Sequence, residues 1–232
     1  METLHIEHVG DGTFILGDHT EAVEYLARMG ATVDLVVCDP DYRNIGKDLK
    51  TEHYVDVRRI LRSGCPMLHY TYNASGNRNC KMAAAHELVP ALIKRGFRYK
   101  DTIFWNKYNG QKLHQQKLSH RNSTAPNDTD LLIITLKSKS TFPEYVNMEY
   151  LCKGSSIIYH QADQKRQYKP QSLCTDIVLA LTPLGGTVLD THMGNGALST
   201  SCQITGRSYV GIESCPELFY KAVHEARVRL DL

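Results

Sequence analysis

The chain has 232 residues, 42% of them hydrophobic and 22% charged, with a formal net charge of +2. That is ordinary globular composition, and a charge of this size does not by itself demand a polyanionic partner. No apolar run approaches the ~18 residues that span a bilayer, and the N-terminus lacks a basic stretch leading into an apolar one. A cytoplasmic protein with no membrane partner is therefore expected.

The distribution of charge says more than its sum. Residues 1–105 carry a net −1, residues 106–170 a net +5 and residues 171–232 a net −2. Positive charge confined to the middle third fits a face that meets phosphates; a Lys-enriched solvated loop would produce the same pattern. The seven cysteines are odd in number and form no CxxC pair, which fits free thiols in a reducing compartment. His5 and His8 have no neighbours that complete a metal site, so no metal is expected.

In chain order, strand and helix patterns alternate. Thr13–Gly17 reads as a short strand and Glu21–Met29 as a helix, with apolar residues at Ala22, Val23, Leu26 and Met29. Asp34–Cys38 is a continuous apolar strand of the kind buried in a parallel sheet. Tyr54–Leu61 reads as helix, Pro66–Tyr72 as strand, and Met82–Arg95 as an amphipathic helix stopped by Gly96. Tyr99–Trp105 and Leu131–Leu136 read as an antiparallel edge pair. The polar stretch 106–130 lies between them, and loops of that length inside a compact domain are usually functional or disordered. Beyond Lys139 the pattern weakens until a helix at Ser172–Leu181. Strand Thr187–Asp190, helix Ala197–Thr205, strand Ser208–Glu213 and helix Pro216–Leu230 follow, with Pro216 suited to a first turn. The alternation predicts an α/β, doubly wound, mostly parallel seven-stranded sheet with one antiparallel edge strand, built as a single domain over 1–232. Ligands of such sheets bind at the carboxyl ends of strands, where Asp39, Asp190 and Glu213 all fall.

Two loops carry the chemistry. In Asp190-Thr-His-Met-Gly194-Asn195-Gly196, glycines between a strand and a helix allow a ligand to approach the backbone. Glu213 ends the next strand about 20 residues on, where an acid accepts the hydroxyls of a ribose; it could equally cap the helix that starts at Pro216. Ser199 replaces the last glycine of a dinucleotide fingerprint, so a ribose-bearing ligand other than a dinucleotide is favoured. In Val37-Cys38-Asp39-Pro40-Asp41-Tyr42, the last four residues alone would read as a turn, but they follow a buried strand.

These segments together resemble the amino-methyltransferases that act on DNA bases. Val188–Ala197 with Gly206–Glu213 is similar to the family pattern VLDPFxGSGTT…GRxxxGIE, and Gln167-Tyr168-Lys169-Pro170-Gln171-Ser172-Leu173 to its QKPxxL element. Asp39, Pro40 and Tyr42 match the family's Asp-Pro-Pro-Tyr loop, and Gly17-Asp18 its upstream Gly-Asp element. Further matches lie in 90–107 and 127–134. The catalytic loop precedes the cofactor loop, which is the circularly permuted order of the family's beta group.

The resemblance implies a class I methyltransferase (Rossmann-like) fold. It implies S-adenosylmethionine as cofactor, held by Asp190, Gly194, Gly196 and Glu213 with Lys169, Pro170 and Asp18 nearby. It implies catalysis by Asp39 and Pro40, which accept hydrogen bonds from an exocyclic amine, with Tyr42 stacking on a flipped base. The partner is duplex DNA; adenine is preferred because the loop opens with Asp, whereas cytosine relatives often have Ser. A cytosine enzyme and a non-catalytic binding relative are the alternatives. Lys107, Lys112, Lys117 and Arg121 are the candidate phosphate contacts, with 106–130 and 137–168 as candidate DNA-contacting insertions. Family members frequently pair, so a homodimer is the candidate assembly. Two departures stand out: His192 replaces the family's Phe, and Asp41 replaces its second Pro.

Overall fold

The computed structural model describes residues 4–40, 53–72, 83–107, 129–139, 141–161 and 169–231. Among them a mixed sheet of nine strands is built from β1 (His5–Val9), β2 (Gly12–Leu16), β3 (Leu35–Cys38), β4 (Pro66–Tyr72), β5 (Phe97–Asn106), β6 (Thr129–Lys137), β7 (Ile157–Tyr159), β8 (Thr187–Asp190) and β9 (Ser208–Glu213). Their order across the sheet is β1-β2-β9-β8-β3-β4-β6-β5-β7. Seven run one way, while β1 and β6 oppose their neighbours.

The expected count of seven is therefore corrected to nine, and the expected edge pair is not at the edge. The antiparallel strand β6 lies between β4 and β5, and β7 closes the sheet beyond β5. The two added strands left little trace in the sequence for a common reason. In β1 only Val9 is buried, and in β7 only Ile158. A strand at the rim that buries one residue shows no alternation to detect.

Helices cover both faces. α1 (His19–Arg28), α2 (His53–Ile60) and α3 (Ala83–Lys94) pack on one, through Ala22, Val23, Val57, Ile60, Leu88 and Leu92. α4 (Met148–Cys152), α5 (Gln171–Leu181), α6 (Ala197–Thr205) and α7 (Pro216–Arg229) pack on the other, through Leu151, Ile177, Cys202 and Phe219. All four residues of β3 are buried, Leu35 and Val37 toward α4–α7, Val36 and Cys38 toward α1–α3. That two-sided burial is why β3 reads as an unbroken apolar run.

β3 and β8 are neighbours, yet the chain leaves them in opposite directions: β3 leads to β4 on one side, β8 to β9 on the other. The crevice at their carboxyl ends is the point where winding reverses, the place where such sheets bind ligands. Among the described residues no helix is long and apolar enough to cross a membrane.

Candidate active site

The loops after β3 and β8 are fastened together where they leave the sheet. The Thr191 amide donates to the Val37 carbonyl at 3.0 Å, and its hydroxyl donates to the same oxygen at 3.3 Å. Asp39 and Gly194, 155 positions apart in the chain, consequently line one cleft with Tyr70, Lys169, Asp190 and Leu218; it encloses about 580 Å³ including its open mouth.

On the β8 side the backbone is shaped by two glycines in the left-handed region, Gly194 at φ 55° and Gly196 at φ 79°. A Cβ on Gly196, the first residue before α6, would sit 3.1 Å from that of Ala222, so this glycine lets α6 and α7 close up. A Cβ on Gly194 would meet nothing within 4 Å; here the bare backbone faces the cleft. Glu213 braces the turn: Oε2 accepts from the Gly194 amide at 2.8 Å, and Oε1 accepts from the Cys215 amide at 2.9 Å at the start of α7. The carboxylate thus ties the turn at Gly194 to the entry of α7, whose N-cap Cys215 has no side-chain cap hydrogen bond.

Asp190 is 3% exposed and accepts from the His192 amide and the Tyr209 hydroxyl, each at 3.2 Å. Burial drives its carboxyl up to about 7, with the nearby charges of Asp39 and Glu213 adding to the rise and the two hydrogen bonds opposing it. An acid raised in the folded state stabilises the fold below its unfolded value near ~4 and loses that contribution as pH rises through the folded value. Stability should therefore fall between pH ~4 and about 7. The Asp190→Asn protein, which keeps both partners, should show a flatter profile in urea unfolding; equal slopes would mean that Asp190 does not titrate in this window.

Tyr209 was not among the expected site residues. Its ring crosses Gly211 to reach Asp190: a Cβ on Gly211 would lie 2.5 Å from that ring and 2.7 Å from Met193 Sδ. The signal was present as a tyrosine two residues before a strand glycine, a pattern that lets a ring fold over the missing side chain. Gly211→Ala should push Tyr209 off Asp190 and destabilise the fold by about 1–3 kcal/mol, read as a lower urea midpoint; an unchanged midpoint would show that the ring has room to spare.

On the β3 side, Lys169 pairs with Asp39 Oδ2. Its ammonium stands 4.6 Å from the ring centroid of Tyr70 and 6.0 Å from that of Trp105. Deeper in, Asp130 is 4% exposed and pairs with Lys107 at 2.9 Å. Burial raises the Asp130 carboxyl, and the Lys107 charge pulls against that rise. Lys107, a candidate phosphate contact, is therefore partnered by Asp130 with about a third of its side chain exposed. Tyr70 and Leu218 were also missed. Each lies inside an element that the sequence shows, Tyr70 near the carboxyl end of β4 and Leu218 in the first turn of α7, but nothing in the local pattern marks either as facing a cleft.

Pro40 follows Asp39 at the rim and is half-buried. Pro170 immediately precedes α5 with extended backbone. Asp18 accepts from the amides of Thr20 at 2.8 Å and Glu21 at 3.3 Å and so caps α1. Burial raises its carboxyl, but the His19 charge and the amide bonds outweigh this and hold it below the usual range. Its link to the cleft runs through His19, whose ring lies 4.6 Å from that of His192. The imidazole at position 192 thus supplies a flat ring where Phe was expected. Tyr42, Lys112, Lys117 and Arg121 lie outside the described residues, as does Asp41.

The residues present suit a nucleoside bearing a polar tail. Gly194 offers open backbone, Leu218 an apolar surface, Glu213 a carboxylate one bond away from that backbone, and Lys169 and Asp39 opposite charges farther along the cleft.

A family profile described as DNA methylase matches residues 33–224. Several solved structures share the fold. M1.HpyAVI, in complex with SAM, aligns over 91% of this chain and 97% of its own with TM-score 0.65 and 21% identity. TTHA0409 of Thermus thermophilus, in complex with S-adenosyl-L-methionine, aligns over 92% of each chain with TM-score 0.70 and 17% identity. The cytosine-N4-specific PvuII DNA methyltransferase aligns over 93% of this chain and 86% of its own with TM-score 0.71 and 13% identity. No curated protein sequence matches.

Proposed function

Because the chain belongs to the DNA methylase family, we propose that it transfers a methyl group from S-adenosylmethionine to an exocyclic amino group of a DNA base, adenine before cytosine. The observation that carries the reading is the single cleft shared by Asp39 and the glycine loop around Gly194. The catalytic loop comes first in the chain, so we assign the protein to the permuted beta group.

When bound, the cofactor would supply a methyl carbon made electrophilic by its sulfonium. Gly194, Glu213 and Leu218 hold the nucleoside part, and Asp190 keeps their loop in place through the His192 amide. The chain's task at the other end is to make a poor nucleophile react. The lone pair of an exocyclic amine is delocalised into its ring. A carboxylate oxygen of Asp39 and the Pro40 carbonyl, accepting from both amine hydrogens, draw the nitrogen toward tetrahedral geometry. Proline limits the backbone here and helps aim its carbonyl. Tyr42 stacks on the base after it leaves the duplex, a contact worth about 1–3 kcal/mol. Most of the acceleration then comes from positioning and preorganised charge. Lys112, Lys117 and Arg121 contact phosphates and set the duplex over the cleft.

The direct test is incubation with labelled S-adenosylmethionine and mixed-sequence duplex DNA, followed by digestion to nucleosides. Label in N6-methyladenine is the expected result. Label in N4-methylcytosine would move the base assignment. Cofactor binding with no labelled base would identify a non-catalytic relative.

A further inference from the structure

The resemblance put Lys169 near the cofactor, and its ammonium is bonded to Asp39. Four ionisable groups of alternating sign run from the cleft into the protein behind it: Asp39 and Lys169 line the cleft, and Asp130 and Lys107 lie beyond them. Lys169 is bonded to the first, and Lys107 to Asp130. Asp130 also acts on Lys169 through its charge. Two aromatic rings flank the row, with Lys169 over both and Lys107 Nζ 5.4 Å from that of Trp105. Tyr70 and Trp105 are 1% and 2% exposed, and the Lys169 side chain is 20% exposed. Burial would lower the Lys169 ammonium, but the charge and hydrogen bond of Asp39, with the charge of Asp130, outweigh it and leave the group above its ordinary value.

We propose that Lys169 is a positioning residue for Asp39: it fixes the orientation of that carboxylate before the amine arrives. The inference rests on the reading in which Asp39 receives the target amine. An aspartate at the end of a strand turns about two side-chain bonds, and only some settings aim its oxygens at a substrate. A charge-assisted hydrogen bond narrows those settings, provided that its donor is itself held. Lys169 meets that condition. Pro170 restricts its backbone to extended conformations, and the rings of Tyr70 and Trp105 fix its far end. Asp39 directly follows β3, Lys169 stands just before α5, and the rings come from β4 and β5, so the carboxylate is referenced to the sheet rather than to its own loop alone.

The test compares Lys169→Met, Lys169→Arg, Asp39→Asn and the Lys169→Met/Asp39→Asn double variant. Three readouts are needed: steady-state transfer to DNA, calorimetric affinity for S-adenosylhomocysteine, and ¹⁵N NMR titration of the lysine ammonium. Lys169→Met should lower kcat by about 10- to 100-fold, the scale of a misplaced catalytic group, with cofactor affinity little changed. Lys169→Arg should recover part of the loss, and the double variant should be no slower than Asp39→Asn alone. In the NMR arm, Lys169 should titrate at lower pH in Asp39→Asn than in the parent protein. A loss confined to cofactor affinity, an unchanged kcat in Lys169→Met, or identical Lys169 titrations would each overturn the proposal. The NMR comparison decides even if the Met variant fails to fold. Full activity in Asp39→Asn would bring down the reading of Asp39 as well; an inactive Asp39→Asn beside a fully active Lys169→Met would bring down this inference alone.

Discussion

Asp39→Ala is expected to lower methyl transfer by about a thousandfold, the scale seen when one preorganised polar contact to a reacting group is removed. The cleft should still take up cofactor, because the residues around Gly194 are held by Glu213 and Asp190, not by Asp39. Alanine has a second effect that must be kept apart from the first. It leaves the Lys169 ammonium, now paired with Asp39, without its partner in a mostly buried setting, and an uncompensated charge destabilises. Asp39→Asn keeps the shape and one acceptor oxygen, so its stability should lie nearer to that of the parent while its turnover remains low. Labelled-donor assays on both variants, beside urea unfolding, separate chemistry from stability. Transfer at the parental rate by either variant would remove Asp39 from the mechanism.

Glu213→Ala should weaken cofactor binding by about 100-fold, or about 2.7 kcal/mol, the worth of one or two hydrogen bonds to a charged acceptor. A carboxylate has about four lone-pair sites, and the amides of Gly194 and Cys215 occupy two, so ribose hydroxyls have room to bind. The same change deprives both amides of their acceptor, and the lost hydrogen bonds should cost about 1 kcal/mol of fold stability. Calorimetry with S-adenosylhomocysteine reads the first effect and urea unfolding the second. A drop in stability with unaltered affinity would reduce Glu213 to a brace between the Gly194 turn and the start of α7.

The parts that were legible from the sequence share a physical property. β4 and α6 are read with the bounds they have, and β3 within a residue, because burial on both faces or on one stripe writes its period into consecutive residues. The two chemical loops were legible for a related reason: each follows a buried strand, and its glycines or acids must stand at fixed offsets from that strand's end. Where an element buries almost nothing, as in β1 and β7, no period is written and the strands were missed. Where a residue acts by folding over its own strand, as Tyr209 does over Gly211 to reach Asp190, the spacing was visible but its purpose was not.

From the sequence by itself came the alternating α/β plan, the two loops, and the resemblance that joins them to DNA amino-methylation. These depend on contacts between residues close in the chain, or on short runs whose order is preserved. Only the tertiary structure decided what those loops touch. Lys169 reaches Asp39 across 130 positions, and Lys107 pairs with the buried Asp130. The sheet places β3 beside β8 although the segments are far apart in sequence. Charge pairing acts through space over a few ångströms, and which side chains come within that distance is set by strand order, which no local period encodes.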